Sequence, residues 1–231
     1  MPDLYPKLEM GVRPLKGTEA EEVLKAASLS SLPQVFYSGE NGLNLVVKEE
    51  GSKYVPNPAA EIAKEVHDYL TREHSYGNKV TGKITEDHFQ GVGYGWDRDM
   101  LRLVPAVLLR AGSIEVTYQG RRYSNYQEPQ YRLPFTNNLA FKPASFAPRA
   151  AIDLKTQTQA VQHYEALTGE EVDVEEGAIA AAFKKLAEEE MKQLLPVEAT
   201  VKANRLPLDD IVNDYKDTLT TIKKPWPVFH G

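Results

Sequence analysis

Apolar residues recur along this chain mostly at helical spacing, with strand-like alternation confined to short stretches. From Ala59 to His74, Ile62, Val66, Tyr69 and Leu70 share one face, and Asn57–Pro58 supplies a cap and a first-turn proline, so the pattern predicts an amphipathic helix. His67 sits on the border of that face and reads as a structural side chain. Earlier, Thr18 and Glu21 have the spacing of a capping box in front of a short helix over 18–28. LPQVFYS and LNLVVKE flank Gly39–Gly42, which predicts a hairpin with a four-residue loop, ended by the charged run Lys48–Glu49–Glu50–Gly51.

The middle of the chain has a more telling order. A short helical segment, ITEDHF, is followed by the turn QGVGYGW and by Asp97, which can cap a helix DMLRLVPAVLLRAG running to Gly112. Leu101, Val104, Leu108 and Ala111, with Met100 and Val107 beside them, predict packing on two sides. Pro105 either kinks this helix by removing the bond to Leu101 or marks a later start. SIEVTYQGRRYSN then alternates Ile114, Val116 and Tyr118, turns at Gln119–Gly120 and returns, which predicts a two-stranded ribbon. Helix, short helix, helix and ribbon over 57–124 is the order of a winged helix, whose third helix enters a major groove.

The remaining third is helical in pattern. Leu154, Ala160, Val161, Tyr164 and Leu167 line one side of a stretch ending at Gly169. Ile179, Ala182, Phe183, Leu186 and Met191 line another before Pro196, and Ile211, Val212, Tyr215 and Leu219 a third. The expected fold class is therefore α+β, mainly helical, with a winged-helix-like unit and a C-terminal helical region. Its segments are an N-terminal helix and hairpin (1–56), the winged-helix-like domain (57–124), an ordered connection (125–150) and a helical domain (151–231).

Composition narrows the chemistry. The 231 residues contain no cysteine, which removes thiolate nucleophiles, Cys-based zinc sites and Fe–S clusters and fits a cytoplasmic chain. The longest apolar stretch, within 103–109, is far short of the roughly 20 residues that span a bilayer, so no membrane partner is expected. The net charge of -6 divides into -4 over 1–94, +3 over 95–165 and -5 over 166–231. A local nucleic-acid contact in the basic middle is compatible with that division, and so is ordinary fluctuation.

If the unit touches double-stranded DNA, Arg98, Arg102, Arg121 and Arg122 are the phosphate contacts, because recognition needs guanidinium groups on an exposed helix edge and at the wing tip. The competing reading is packing or protein docking. The third helix is unusually apolar, and its first turns lack Asn, Gln and Ser for reading bases. In 125–150, Tyr126, Tyr131, Phe135, Phe141 and Phe146 beside Arg132, Lys142 and Arg149 form either a stacking platform for single strands or a row of core anchors. Trp226 and Phe229, flanked by prolines, are candidate protein contacts, docking on this domain or on material beyond it.

Catalytic motifs are missing: no GxxxxGK[ST], GxSxG, HExxH or GxGxxG occurs. Asp97 and Asp99 diverge on a helix, and Asp209, Asp210, Asp214 and Asp217 read as a solvated face. No catalytic, cofactor-binding or metal-binding residue is assigned, and the chain is not expected to be an enzyme. A lone transcription regulator is disfavoured because no dimerisation helix accompanies a convincing recognition helix.

Three stretches carry a family likeness: TGKITEDHFQGVGYGWDRDMLRLVPAVLLRAGSIEVTYQGRRY at 81–123, FTNNLAFKPASFAPRAAIDL at 135–154 and ALTGEEVDVEEGAIAAAFKKLAEEE at 166–190. They resemble the region after the ATPase module in the large P-loop proteins of bacterial BREX phage-defence systems, the BrxC/PglY group, over residues 1–222. The resemblance implies a fragment of a longer AAA+-like ATPase, with Met1 introduced for expression and ATP and Mg bound only in the missing ATPase portion. It implies as partners the rest of that parent and the other BREX subunits. Gly95–Trp96–Asp97 and Gly120–Arg121–Arg122 then belong to the winged-helix region, with no catalytic role attached.

Overall fold

The structure, a computed structural model, describes residues 4–48, 53–124, 126, 129–149 and 152–223, so Trp226 and Phe229 lie outside the described residues. Contacts divide the chain into two compact units, Met1–Gln157 with Val174–Gly177, and Thr158–Asp173 with Ala178–Gly231. The fold is α+β and mainly helical.

Unit 1 begins with α1 (Leu8–Gly11) and α2 (Glu19–Lys25). Gly11 is a glycine for want of room, since a Cβ there would lie 2.0 Å from Cγ of buried Trp96. The expected capping box at Thr18 does not form. The Glu19 carboxylate reaches back instead and accepts from the amides of Lys16 (2.7 Å) and Gly17 (2.9 Å), while the Thr18 hydroxyl donates to Glu22.

The chain does reverse at Gly39–Gly42, closed by a 2.9 Å bond from the Gly42 amide to the Gly39 carbonyl, but the expected flanking strands are displaced. Gln34–Phe36 is a 3-10 turn, because the Tyr37 hydroxyl donates to Leu29 O and accepts from Leu32 N, folding that segment on itself. Asn44, at φ +53, breaks extension before β1 (Val46–Lys48), which pairs antiparallel with β2 (Tyr54–Pro56).

The next helix, α3 (Glu61–Ser75), buries Ile62, Ala63, Val66, Tyr69 and Leu70, the face predicted from spacing. Its N-cap is Ala60. Asn57 sits one turn earlier, where its side chain accepts from the Ala59 amide. β3 (Val80–Thr81) leads into α4 (Gly82–Phe89), capped by the Thr81 hydroxyl. α5 (Arg98–Arg110) starts at the predicted place and runs through Pro105. Every residue of α5 from Met100 to Arg110 is buried, so the helix is packed on all sides rather than two.

β4 (Ile114–Tyr118) and β5 (Arg121–Tyr123) form the expected ribbon, with Gln119 and Gly120 both at positive φ as a two-residue hairpin turn requires. The sheet holds more than the ribbon. After α6 (Asn138–Phe141), the short strand β6 (Ser145–Pro148) inserts between β3 and β4, giving the antiparallel order β3-β6-β4-β5. Four residues ending in proline carry too little alternation to announce a central strand. Residues 20 to 146 contribute to a single core under this sheet, so the stretches read from sequence as 1–56, 57–124 and 125–150 share one apolar interior.

In unit 2, α7 (Leu154–Thr168, its first four residues in unit 1) buries only Val161 and Tyr164; Leu154 and Leu167 of the expected face are exposed, and Gly169 at φ +72 terminates the helix. α8 (Glu176–Asn204) continues through exposed Pro196, where a stop was expected. The continuation is sustained by Ala187, Leu194 and Val201, seven apart, which pack with Val212 and Leu219 of α9 (Asp209–Lys223). Among the described residues no helix is long and apolar enough to cross a membrane.

Candidate functional site

The four arginines named as phosphate contacts have different fates. Arg102 is 6% exposed, and its guanidinium donates to the carbonyls of Gly17 (3.0 Å) and Phe135 (3.3 Å) and to Asp99 (2.5 Å). It fastens the segments covering α5 and presents nothing to solvent, contrary to the exposed helix edge expected of it. The cause is that α5 lies inside the core, where an arginine must find acceptors for its donors. Arg98, on the first turn, is exposed and lines a cavity of about 420 Å³ with Arg13, Gln90, Asp97, Asp99 and Asn138. Two carboxylates and two guanidinium groups share that cavity, so its charge is balanced rather than basic.

Arg121 and Arg122 lie exposed on edge strand β5. Arg121 donates to the side-chain oxygen of Gln130, and Arg122 pairs with Glu115 at 2.5 Å. The hairpin tip thus carries one arginine with a neutral partner and one already neutralised.

The aromatic residues of the connection are core anchors. Tyr131, Phe135, Phe141 and Phe146 are all buried, and Phe141 and Phe146 pack at 5.1 Å between ring centroids. Among the accompanying cations, Lys142 faces buried Glu86 at 3.7 Å and Arg149 pairs with Glu176 at 2.5 Å. Tyr126 is half-buried, with Arg110 against its ring and Tyr131 edge-on to it, so among the described residues the five rings form no exposed stacking platform.

Two clusters went unremarked in the sequence. Arg110, with a side chain 1% exposed, makes a two-point pairing with Glu175 (3.0 and 2.8 Å), donates to the carbonyls of Val23 and Ala26, and lies under the Tyr126 ring at 4.8 Å. The signal for it was an arginine at a buried phase of an apolar helix, but its carboxylate lies 65 positions away. The second cluster joins Lys7, Glu65 and Tyr94, whose Nζ and hydroxyl each donate to Glu65 Oε1 at 2.5 Å. Burial works to raise the Glu65 carboxyl, yet the bonds from Lys7 and Tyr94 outweigh it and hold the group below its ordinary value. This knot ties the N-terminal segment to α3 and to the turn after α4.

The acidic residues Asp209, Asp210, Asp214 and Asp217 are exposed on α9. Among the described residues, no group of three or more His, Asp or Glu side chains is placed to hold a metal ion. No protein-family model, curated protein or solved structure matches the chain.

Proposed function

We propose that this chain is a noncatalytic protein-docking module. On the resemblance of 81–123, 135–154 and 166–190, the machine it serves is a bacterial BREX-type defence ATPase, positioned by this module on partner subunits. The observation that carries the docking half is the enclosure of α5. The succession α3, β3, α4, α5, β4 and the antiparallel return of β6 beside β3 support a winged-helix reading of unit 1. In that reading α5 stands where a recognition helix would stand, and it is buried from Met100 to Arg110 with Arg102 bonded to main-chain carbonyls. A helix covered on every side cannot enter a groove.

A second reading, duplex DNA contact, is favoured by the exposure of Arg121 and Arg122 side by side at the end of an edge strand. Titrating duplex DNA at low and moderate salt with the wild-type chain and with Arg121→Ala/Arg122→Ala separates the two. The docking reading expects weak duplex affinity that the double variant leaves unchanged. If the variant instead lowers affinity and reduces the salt slope by roughly two phosphate contacts, the duplex reading replaces it.

A further inference from the structure

We propose that the cleft between the α3–β3 connection and the outer face of the four-stranded sheet binds one phosphate group, carried by a small phosphomonoester. The proposal goes beyond the docking reading and does not rest on it.

Strand register builds the floor. Val80, Phe146, Val116 and Tyr123 lie side by side across β3, β6, β4 and β5, and all four are buried in the core. The next row, Thr81, Ser145, Thr117 and Arg122, is paired in the same order, so alternation along each strand turns it to the opposite, outer face. Ser145 and Thr117 are directly opposite each other in that row, each half-buried, with Cβ atoms about 5 Å apart. Two hydroxyls at that spacing can donate to different oxygens of one tetrahedral anion. With Ala147 they floor a cavity of about 240 Å³, and His74, Asn78 and Lys79, from the last turn of α3 and the connection to β3, form its wall.

The unused donors select the occupant. Among the described residues, the Thr117 and Ser145 hydroxyls, the His74 ring and the Lys79 ammonium have no hydrogen-bond or ion-pair partner. An ammonium can only donate, an imidazole offers an N–H in either protonation state, and each hydroxyl has a hydrogen to give. Donors that converge from a floor and a wall suit the three free oxygens of a phosphomonoester, which point in different directions, better than a flat carboxylate. No carboxylate lines the cavity. The two that adjoin it are engaged: Glu73 accepts from the Asn78 side chain at 2.9 Å, and Glu115, opposite Ala147 on the same face, pairs with Arg122 at 2.5 Å. With Arg122 neutralised, Lys79 is the one full positive charge at the cavity, which matches a single phosphate and not the phosphate row of a nucleic acid. The volume is small for a drug-sized ligand, so the ester carries a short carbon skeleton.

The test titrates the whole chain with inorganic phosphate, glycerol 3-phosphate and glycerol, followed by amide NMR shifts. Both phosphates are expected to bind with Kd on the order of 1 mM, the ester at least as tightly as the free ion, and glycerol not at all. The shifts should concentrate at 77–81, Thr117 and 145–147. Lys79→Gln, at an exposed position, should weaken the ester about tenfold, and Thr117→Val/Ser145→Ala at least about fivefold. Should the double variant lose stability in urea, Lys79→Gln decides alone. Lys64→Gln, which removes an exposed α3 lysine outside the cavity, should leave the affinity unchanged. No binding below about 20 mM, shifts centred elsewhere, the same shifts with glycerol, an ester more than about tenfold weaker than the free ion, or equal weakening by Lys79→Gln and Lys64→Gln would each overturn the proposal.

Discussion

His88 lies flat against Tyr69, with ring centroids 4.0 Å apart and planes 12° from parallel, and Phe89 and Tyr94 close around it. Burial, then Arg72 and Lys7, push its pKa below the ordinary 6.5, against the opposing pull of Glu73 and Glu65. A base whose folded value is depressed binds fewer protons in the folded chain. Its contribution to stability is complete above 6.5 and is lost as pH falls through the folded value. The urea midpoint of the wild-type chain should therefore drop between about pH 7.5 and about pH 5.5, above the range where Glu65 titrates, and His88→Phe should flatten the drop. An equal drop in the variant would show that another group is responsible. Residue-scale chemistry of this kind was poorly legible in the sequence. His67, judged from spacing alone, is a half-buried border residue of α3 as expected. The surroundings of His88 come from α3, α4 and the turn between Gly91 and Trp96, which no local pattern joins.

At the scale of elements, Arg110 is the clearest case of a side chain holding separate pieces together. It binds the carbonyls at the end of α2, pairs with Glu175 and stands at the last turn of α5. Removing one partner of a buried pair leaves the other charge without compensation, so Arg110→Met should cost about 3–5 kcal/mol in urea denaturation. Arg110→Met/Glu175→Leu should recover much of that loss. A single variant within about 1 kcal/mol of wild type would mean that solvent reaches Glu175. Elements with strong periodicity were legible: α3, α4, α5 and the β4–β5 ribbon stand where the spacing puts them. The short ones were not. β6 and the β1–β2 pair are defined by partners distant in sequence, and α8 passes Pro196 because contacts with α9 outweigh the lost backbone bond. On α9, Ile211 and Tyr215 were read with Val212 and Leu219 as one face, yet only the latter two are buried, because spacing shows which residues share a side and leaves open whether anything covers it.

For the whole molecule, the mainly helical α+β class was legible in the periodicities. The way the chain is shared between units was not. The two units have separate cores, one built on α5, buried from Met100 to Arg110, and the other on a few contacts between α8 and α9. Hydrogen exchange should accordingly find amides of α5 among the slowest in the chain and those of α9 markedly faster. Equal protection would indicate that both cores open in one cooperative step. The division also threads the chain in an unusual order. Unit 1 runs to Gln157, the chain enters unit 2, and it returns for Val174–Gly177 before leaving again. Those four residues carry Glu175 and Glu176, the partners of Arg110 and Arg149. No single cut of the polypeptide yields both units intact: ending the chain after Gln157 strips buried Arg110 and half-buried Arg149 of their carboxylates, and starting it at Thr158 carries those carboxylates off without their arginines. In a larger assembly, any process that extracts unit 2 by pulling on the chain must first draw this four-residue plug out of unit 1, so the resistance of unit 1 to disassembly is set partly by residues that lie beyond its main run.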